Sequence, residues 1–522
     1  MSKNFRGISL VHLLAKLFDT ILLNRFKRWF TPADEQTAYQ SERGSPDHVF
    51  LLRCMSQYAK RYKKKLYLIA IDFDGAFDRV SRAILVRKLC LFGAGVTFTA
   101  CLASIYMSTD NIIFRGKEHV TYKLFSGIKQ GLPLSPLLFL FYINDVFDFL
   151  GAIYDGGALI FDVIHILIHA DDATIIASDR LNAISKLRSM LSYCNLNCII
   201  PQFTKCEFLV VNGDEEDMKP LPFGDTDLQN VPHLLLLGSH LTASASLVEE
   251  AQLHMEKRHK SVIKYYNFLR SNKSAPAKVK IKVLKSCVMS GLLHNCEAFG
   301  NAIPKDLEHT YMKLLKSCFD VRSNVPNDIL LIESGLAPLK ALILFRQHNF
   351  YKRFMKSIKP GSRREKMMTI LLNEKTSYLQ HYESLITNYT TSADILIDHV
   401  NILKRKIQRL ADNGQYKYQI YRCINPELEP SPLLHIVHPM ASDIMKFRLG
   451  SHKLPIETGR WSRKARCERL CTNCGVLGDE EHVLYACSLI KRDDVVLQEM
   501  WNIWRQPEIF KLFTRIKEAK FL

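Results

Sequence analysis

The stretch Ile164–Ser178, which reads IHILIHADDATIIAS, constrains the fold more than any other part of the chain. Two apolar, β-branched runs flank a short tip, Ala170-Asp171-Asp172, and this pattern predicts a β-hairpin with two buried strands. Two adjacent carboxylates repel each other without a counter-ion, and carboxylate oxygens suit Mg²⁺. The tip therefore indicates a divalent-metal site. A polar turn that happens to contain two aspartates is the alternative.

A second group of carboxylates follows the apolar run Leu66–Ile71, which predicts a buried strand. The segment Asp72–Asp78 begins where this strand ends, and a strand end is a rigid and open place for a functional site. Asp78 has an alternative role as a cap of the helix predicted from Ser81 onward. Asp72 lies too far upstream for that role, so it is the stronger candidate for a site residue.

A loop rich in glycine and proline, Gly127–Pro136, precedes an apolar helix that we predict at Leu137–Phe149. Glycines on either side of Gln130 would let the backbone approach a ligand closely. A structural turn that leads into a core helix is the alternative interpretation.

The remaining pattern outlines the elements around these motifs. Residues 1–30 predict an amphipathic helix with one apolar and one basic face. Strands are predicted at Glu207–Val211 and at His233–Leu241, the second with a bend at Gly238. From about residue 245 to residue 440 the periodicity is mainly helical.

The charge balance points to a nucleic-acid or other polyanion partner. The 522 residues include 71 lysines and arginines against 52 aspartates and glutamates, a formal charge of +19. A globular chain this basic typically carries a polyanion-binding surface, and mere solubility is the alternative. No apolar stretch suits a bilayer span, so we expect no membrane association. Most of the 14 cysteines are scattered in apolar segments, which favours reduced thiols in an intracellular protein.

A possible metal motif lies near the end of the chain. Basic residues precede it: Arg460, Arg463, Lys464, Arg466 and Arg469. Cys471, Cys474, His482 and Cys487 follow with the spacing C-x2-C-x7-H-x4-C. These four side chains suit a tetrahedral zinc ion, with a set of buried thiols as the alternative. Cys467 lies outside this spacing and remains an alternative ligand.

Three patches together resemble the palm motifs of a reverse transcriptase, and their order and spacing match as well. Ile71–Asp78 is similar to the first motif, Gln130–Pro136 to the second and His169–Asp172 to the third. Other segments resemble the reverse transcriptases of non-LTR, LINE-type retrotransposons: Asn4–Leu10, Leu134–Asp145, Lys446–Arg460 and the zinc-like motif.

The resemblance implies an α+β fold, namely a right-hand polymerase palm and fingers, a helical thumb, a helical C-terminal region and a small zinc-knuckle-like module. The implied domains are fingers and palm at 1–240, thumb at 241–330, helical C-terminal region at 331–455, CCHC zinc-knuckle-like module at 456–490 and helical tail at 491–522. Nothing in the sequence resembles the upstream endonuclease of this family. We therefore expect an N-terminally truncated chain.

The resemblance also implies an activity, an RNA-directed DNA polymerase (a nucleotidyltransferase) that serves a retrotransposon. Such an enzyme extends a primer 3′-hydroxyl with dNTPs by two-metal-ion phosphoryl transfer. Its implied partners are an RNA template and a DNA primer or target DNA. Its implied cofactors are two Mg²⁺ ions, or Mn²⁺ in their place, and a structural Zn²⁺. It would act inside the cell, in cytoplasm and nucleus.

Matched residue by residue, the resemblance assigns roles to named side chains. Asp72, Asp171 and Asp172 hold the Mg²⁺ ions. Lys205 lies near the triphosphate and protonates the leaving pyrophosphate. Phe77 collides with a 2′-hydroxyl and so favours deoxynucleotides. The other substrate-binding positions are Arg6, Arg43, Phe73, Gln130 and Gly131.

The sequence departs from the family's pattern at several positions. The family usually has Tyr or Phe at the position of His169, a more basic segment at Gln40–Glu42 and Asn at the position of Gln202. The first strand of the fingers is not matched either. The unmatched fingers strand and His169 favour a catalytically inactive, nucleic-acid-binding remnant as the alternative function, and the intact carboxylate set opposes it.

Overall fold

A computed structural model describes residues 9–107, 110–115, 117–154, 160–436, 438, 440–491 and 509–521. The chain divides into two compact units. The first contains Met1–Glu250, Asn295–Ala302 and Phe350–Ser384, and the second contains Ala251–His294, Ile303–Asn349 and Leu385–Leu522. Among the helices of the described residues, none has the length and apolar character that crossing a membrane requires.

The α-helices and the β-strands are each numbered in chain order. The α-helices are α1 (Leu13–Trp29), α2 (Ser45–Tyr62), α3 (Arg82–Leu91), α4 (Val96–Met107), α5 (Ser135–Ile143), α6 (Val146–Tyr154), α7 (Arg180–Leu196), α8 (Leu247–Ser271), α9 (Ala277–Val283), α10 (Ser290–Leu292), α11 (Lys305–Cys318), α12 (Asn327–Ser334), α13 (Leu339–Lys356), α14 (Arg363–Asn373), α15 (Ser377–Asn388), α16 (Ser392–Asp412), α17 (Tyr416–Ile424), α18 (Ala441–Arg448), α19 (Pro455–Trp461) and α20 (Ile509–Glu518). The strands are β1 (Leu66–Ile71), β2 (Asp110–Arg115), β3 (Glu118–Lys123), β4 (Ile166–His169), β5 (Asp172–Ala177), β6 (Glu207–Val211), β7 (Leu221–Phe223), β8 (Thr226–Asn230), β9 (His233–Leu236) and β10 (Ser239–Thr242).

A six-stranded sheet with the order β4-β5-β1-β6-β8-β7 forms the centre of the first unit. β1 lies between β5 and β6 and runs antiparallel to both. Its apolar sequence suits this central place, because a strand covered on both faces needs apolar residues on both. Tyr67 and Ile69 join a core cluster with side chains of α5 and α7, and Leu66 and Leu68 are buried as well. The strand predicted at Leu66–Ile71 is therefore confirmed.

The predicted hairpin is also present, as β4 and β5, with Ile168 opposite Ala173 and His169 opposite Asp172. The described residues of the second unit form helices and the turn-rich segment that carries the zinc-like motif. The predicted α+β fold with a helical C-terminal region is thus confirmed. The domain boundaries given above stay predictions.

The single helix predicted at Leu137–Phe149 is wrong, because α5 and α6 divide it at Asn144 and Asp145. The side-chain oxygen of Asn144 accepts a hydrogen bond from the Ala33 N–H at 2.8 Å. The Asp145 carboxylate accepts one from Lys88 Nζ at 2.7 Å. These tertiary bonds hold a polar pair at the break, and apolar periodicity alone does not reveal them.

The strand predicted at His233–Leu241 is also wrong, because the chain forms a hairpin of β9 and β10 there. Leu237 and Gly238 take φ angles of +48° and +77°. Two consecutive residues with positive φ are what a type I′ two-residue hairpin turn requires. The bend predicted at Gly238 is therefore a complete reversal of the chain.

The first predicted helix is present as α1, but its packing differs from the prediction. Leu22 and Phe26 are buried, whereas Leu13 on the same predicted apolar face is 76% exposed. Asp19 is buried instead, and its Oδ2 accepts a hydrogen bond from the Leu134 N–H at 2.7 Å. Burial raises the pKa of this carboxyl group. α1 thus uses a polar contact to hold the loop before α5.

Candidate active site and candidate metal centre

The end of β1 and the tip of the β4–β5 hairpin bring three carboxylates to one edge of the sheet. Ile71 lies opposite Ala173 in the antiparallel pair of β1 and β5, so Asp72 follows the end of β1 on the side where β5 begins at Asp172. Opposed residues of antiparallel strands have Cα atoms about 4.5–5.5 Å apart. Asp171 directly precedes Asp172 in the tip. The register therefore places the three predicted metal ligands at the same edge of the sheet, and their role as ligands stays a prediction.

The donors at this edge suit a divalent cation. Carboxylate oxygens are the hard ligands that Mg²⁺ prefers. Lys205 Nζ lies 3.0 Å from Asp72 Oδ2, so the edge already accommodates a positive charge. The Gln202 N–H donates a hydrogen bond of 2.7 Å to the Asp72 carbonyl oxygen, which fixes the end of β1. Lys205 thus lies beside Asp72, and its predicted role near the triphosphate stays a prediction.

His169, the last residue of β4, lies against the segment before α2. Its Nδ1 is 2.9 Å from Thr37 Oγ1. Burial lowers the pKa of His169 to about 4. The ring is therefore neutral at pH 7 and adds no positive charge beside the aspartates. His48 contacts the same hairpin, because its Nε2 lies 3.1 Å from Thr174 Oγ1 of β5. Burial lowers the pKa of His48 to about 3.

Phe77 lies between two aromatic rings. Its ring stacks on that of Phe139, with centroids 4.4 Å apart and an interplanar angle of 22°. The ring of Tyr39 approaches at 6.4 Å and 89°. The Phe77 carbonyl oxygen accepts a hydrogen bond from the Ile128 N–H at 2.9 Å. These contacts fix the orientation of the ring five positions after Asp72.

The loop around Gln130 packs onto the segment after β1. Gln130 Nε2 donates a hydrogen bond of 3.1 Å to Asp78 Oδ1. Gly131 has a φ of +118°, and a Cβ there would lie 2.6 Å from the Ser9 carbonyl oxygen. Only glycine fits this position, since a side chain would meet both steric conflict and an unfavourable backbone angle. The loop therefore has a fixed path next to Phe77 and Asp78.

Two of the other predicted substrate contacts, Arg43 and Phe73, are engaged in contacts within the protein. The Arg43 guanidinium bonds to the Asp34 carboxylate and carbonyl oxygen and to the Ser357 carbonyl oxygen at 3.0 Å, and 4% of its side chain is exposed. A triphosphate would have to open these bonds, so this role of Arg43 stays a prediction. Phe73 is buried in the core cluster. Arg6 lies outside the described residues.

Two neighbours of the hairpin tip were missed by the sequence analysis. Gln36 and Thr37 belong to a polar, turn-rich segment, and they form a parallel bridge to Ile168 of β4. A single bridged residue leaves no alternating pattern, so periodicity could not have found it. Asp78 had two predicted roles, as part of the carboxylate cluster Asp72–Asp78 and as a helix cap, and Ser81 is the residue that caps α3. Asp78 instead holds the side chain of Gln130.

Cys471, Cys474, His482 and Cys487 form a second candidate centre, in the second unit. Their ligand atoms all lie within 4.8 Å of one another, and the Cys471 and Cys474 sulfurs are each 4.0 Å from the Cys487 sulfur. Tetrahedral zinc with Zn–S bonds of about 2.3 Å separates its sulfur ligands by about 3.8 Å. Within the described part of the chain, the buried His482 Nε2 has no hydrogen-bond partner. The four side chains therefore fit a zinc ion. Cys467 is exposed and is not among the four.

An exposed basic segment precedes this cluster in the same unit. Trp461 is 47% exposed, and the Arg322 guanidinium lies 3.7 Å from the centroid of its ring. The Arg466 guanidinium lies 4.2 Å from the ring centroid of Tyr416. Exposed aromatic rings among arginines are typical of surfaces that bind unpaired bases and phosphates.

Comparisons with known proteins identify a family and several relatives that this chain resembles. The family described as reverse transcriptase (RNA-dependent DNA polymerase) matches residues 1–262. A retrovirus-related Pol polyprotein from a type-1 retrotransposable element R2 of Bradysia coprophila is 27% identical over 226 residues, which is 41% of this chain and 25% of that protein. The uncharacterized 149 kDa protein of transposon TX1 from Xenopus laevis is 24% identical over 260 residues, which is 49% of this chain and 20% of that protein.

The chain thus spans a quarter or less of the length of these two relatives. Among solved structures, the telomerase from Candida albicans in complex with a TWJ fragment of telomeric RNA is 12% identical, with a TM-score of 0.33, over 71% of this chain and 58% of that chain. This TM-score is too low to show a common overall fold. The family match covers half of the chain and includes the end of β1, the Gln130 loop and the β4–β5 hairpin. The chain therefore belongs to the reverse transcriptase family.

Proposed function

We propose that the chain is an RNA-directed DNA polymerase that extends a primer 3′-hydroxyl with dNTPs on an RNA template, as part of a non-LTR retrotransposon. The observation that carries the proposal is the register of β1 and β5, which pairs Ile71 with Ala173 and so brings the adjoining residues Asp72 and Asp172 to one edge of the sheet. Family membership and the retrotransposon origin of the relatives support it. The template RNA, and a DNA primer or target DNA, are the partners that this function requires.

The proposal gives each residue at the sheet edge one task. Asp72, Asp171 and Asp172 would hold two Mg²⁺ ions, or Mn²⁺, which supply the charge that stabilises in-line phosphoryl transfer when bound. The Lys205 ammonium, next to Asp72, donates a proton to the leaving pyrophosphate. Phe77, held by its aromatic neighbours, excludes a sugar that carries a 2′-hydroxyl.

Gln130 and Gly131 form the other side of the nucleotide site in this proposal. Asp78 accepts a hydrogen bond from the Gln130 amide. Gly131 has no side chain, so the loop backbone can lie close to the Ser9 carbonyl oxygen. The rigid loop would position the incoming nucleotide beside Phe77. Positioning of this kind supplies a large part of the rate in reactions that join two substrates.

A primer-extension assay tests the proposed function. The full chain is given an RNA template with an annealed DNA primer, the four dNTPs and Mg²⁺, and a matched DNA template serves as comparison. We expect extension on the RNA template that depends on Mg²⁺. Tight, salt-sensitive binding without any incorporation would instead support the inactive, nucleic-acid-binding remnant.

We also propose an intracellular location, in cytoplasm and nucleus. None of the 14 cysteines, which all lie in the described part of the chain, forms a disulfide, and this supports a reducing compartment. A polymerase of a retrotransposon would meet its RNA and its target DNA in these compartments. Fractionation of cells that express the tagged chain checks this proposal, and recovery in the secreted fraction would contradict it.

The C-terminal cluster is proposed to be a structural zinc site. Four ligand atoms within 4.8 Å of one another and a buried, unpartnered imidazole nitrogen support it. A site with four protein ligands leaves no position for a substrate, so its role is to hold the fold. Zinc would join the Cys471–Cys474 turn to the helical segment that contains His482 and ends at Cys487.

Elemental analysis of the purified chain is expected to find about one zinc per chain. Cys474→Ser should lower the zinc content to near zero, because it removes one of four ligands. Cys467→Ser is the matched control, since Cys467 is an exposed cysteine outside the cluster, and it should leave the zinc content unchanged. Zinc loss in the Cys467 variant with retention in the Cys474 variant would contradict the proposed ligand set.

The basic segment before the zinc cluster is proposed to bind single-stranded nucleic acid. Arg322 covers part of the Trp461 ring, and nearly half of that side chain stays open to solvent. A base that stacks on an aromatic side chain contributes about 1–3 kcal/mol. Arg463 is exposed and supplies a charge for phosphate contact.

Two variants should separate stacking from charge in this surface. Trp461→Ala is expected to weaken binding of single-stranded RNA by about 5- to 100-fold with an unchanged salt slope, because it removes a stacking contact. Arg463→Gln is expected to weaken binding less and to reduce the slope of log K against log salt by about 0.7. Filter-binding titrations at several salt concentrations measure both quantities, with Trp461→Phe as the conservative control. Wild-type affinity in both variants would remove this surface from the proposal.

A further inference from the structure

The backbone before α2 extends the sheet next to β4. The Ile168 N–H donates a hydrogen bond of 3.1 Å to the Glu35 carbonyl oxygen, and the Thr37 N–H donates one of 2.9 Å to the Ile168 carbonyl oxygen. Gln36 is thereby bridged in parallel to Ile168. This short edge lies two residues before the hairpin tip that carries Asp171.

The hairpin tip takes a backbone conformation that its sequence does not favour. His169 and Asp172 are paired, so Ala170 and Asp171 are the two turn residues. Ala170 has a φ of +59°. Two-residue hairpin turns place a positive φ at their first position, where glycine or asparagine is usual and an alanine side chain is unfavourable. The tip therefore needs contacts from outside the hairpin to keep this shape.

The side chain of Gln36 provides such a contact. Its Oε1 accepts hydrogen bonds from the Ala170 N–H at 3.2 Å and from the Ala38 N–H at 3.0 Å. Gln36 is 1% exposed and Ala170 is 7% exposed, so water cannot readily replace the amide oxygen. One buried oxygen thus joins the strained turn residue to the bridged segment.

We propose that Gln36 is a positioning residue of the polymerase site, which holds the Ala170 turn so that Asp171 and Asp172 face Asp72. Gln36 does not contact the reacting atoms and acts through the two aspartates. Thr37 supports the same tip through its contact with His169. This inference deepens the proposed function. The expected effect of Gln36 on catalysis rests on that proposed function.

The variant Gln36→Leu tests the proposal, because leucine is of similar size and lacks the acceptor. We expect kcat for primer extension to fall about 10- to 100-fold, since a lost buried acceptor would let the carboxylates leave their productive geometry. The Mg²⁺ concentration for half-maximal rate should rise about fivefold or more. KM for dNTP should change less than about threefold, because no nucleotide contact is removed.

Gln57→Leu is the matched control. Gln57 lies in α2 of the same unit and donates a hydrogen bond of 2.8 Å to the Ala245 carbonyl oxygen. The Gln57→Leu variant should keep the wild-type kcat for primer extension and the wild-type dependence on Mg²⁺ concentration. Equal losses in both variants would overturn the proposal. So would wild-type kcat and Mg²⁺ dependence in Gln36→Leu.

A second substitution tests the strain itself. Ala170→Gly removes the steric cost of the positive φ, so added to Gln36→Leu it should restore part of the lost kcat. No recovery, together with an unchanged thermal unfolding temperature for Gln36→Leu, would contradict a holding role for Gln36.

Amide hydrogen exchange separates this proposal from the proposed function, because it needs no activity. Peptides that cover residues 166–177 should exchange faster at the tip in Gln36→Leu than in the wild type or in Gln57→Leu. This outcome supports the holding role even if the wild-type chain extends no primer. Unchanged exchange at the tip overturns the holding role whatever the activity.

Discussion

Asp171→Asn is expected to lower the rate of primer extension at least about 1,000-fold. The amide is nearly the same size as the carboxylate, so the hairpin tip keeps its shape. It lacks the negative charge, and a neutral oxygen is a much weaker Mg²⁺ ligand than a carboxylate oxygen. Single-turnover extension on an RNA template with saturating dNTP measures the rate of the chemical step.

Asp227→Asn is a matched control for this experiment. Asp227 is exposed on β8, in the same sheet, and its change removes the same charge away from the β1–β5 edge. The control should extend primers at the wild-type rate, and both variants should bind template and primer with nearly wild-type affinity. Wild-type extension by the Asp171 variant would show that the hairpin is not the metal-binding element.

Phe77→Val is expected to raise the efficiency of ribonucleotide incorporation relative to deoxynucleotides on the order of 100-fold. The wild-type ring is held by Phe139 at a centroid distance of 4.4 Å and is flanked by Tyr39, so it cannot readily turn aside for a 2′-hydroxyl. The smaller valine side chain leaves room for the 2′-hydroxyl. The ratio of kcat/KM for UTP and dTTP, measured on one template, gives the change in selectivity.

Loss of the aromatic stack also affects the fold, so the stability of this variant must be measured. We expect Phe77→Val to cost about 1–3 kcal/mol of unfolding free energy, which a thermal melt detects. Phe125→Val, at a position that is 87% exposed, is the control for the same substitution without a core contact. An unchanged selectivity ratio in a folded Phe77 variant would remove this residue from the sugar site.

The sequence predicted best where local patterns decide the structure. The run Leu66–Ile71 is apolar on both faces, and it forms a central strand with the predicted bounds. The strand Glu207–Val211 also matches, and the Ser81 hydroxyl caps the helix that was predicted to follow it. In each case a few neighbouring residues supply the whole signal.

Prediction failed where partners far along the chain decide the structure. The helix predicted at Leu137–Phe149 breaks at Asn144, whose side-chain oxygen accepts a hydrogen bond from the Ala33 N–H. Asp145 lies at the same break and accepts a hydrogen bond from Lys88 of α3. Asp19 is buried, and its carboxylate accepts a hydrogen bond from the Leu134 N–H. Local periodicity contains no information on such pairs, so only the folded chain identifies them.

The candidate site shows the same division. The identities of Asp72, Asp171 and Asp172 follow from charge and from their places beside apolar strands. The residues that orient the tip cannot be identified in this way, because Gln36 belongs to a segment with no regular pattern. Side chains that act by holding others are hard to find in a single sequence, since their chemistry is ordinary.

The pairing of β1 with β5 has a consequence for how the protein is made. These strands lie about a hundred residues apart in sequence, with Tyr67 opposite Ala177. On a ribosome, the first acidic ligand would emerge seconds before its partners at roughly 5–20 residues per second. Closing so long a loop is a slow step of folding. The newborn polypeptide therefore cannot bring Asp72 and the hairpin aspartates to one edge until translation has passed the second half of the hairpin.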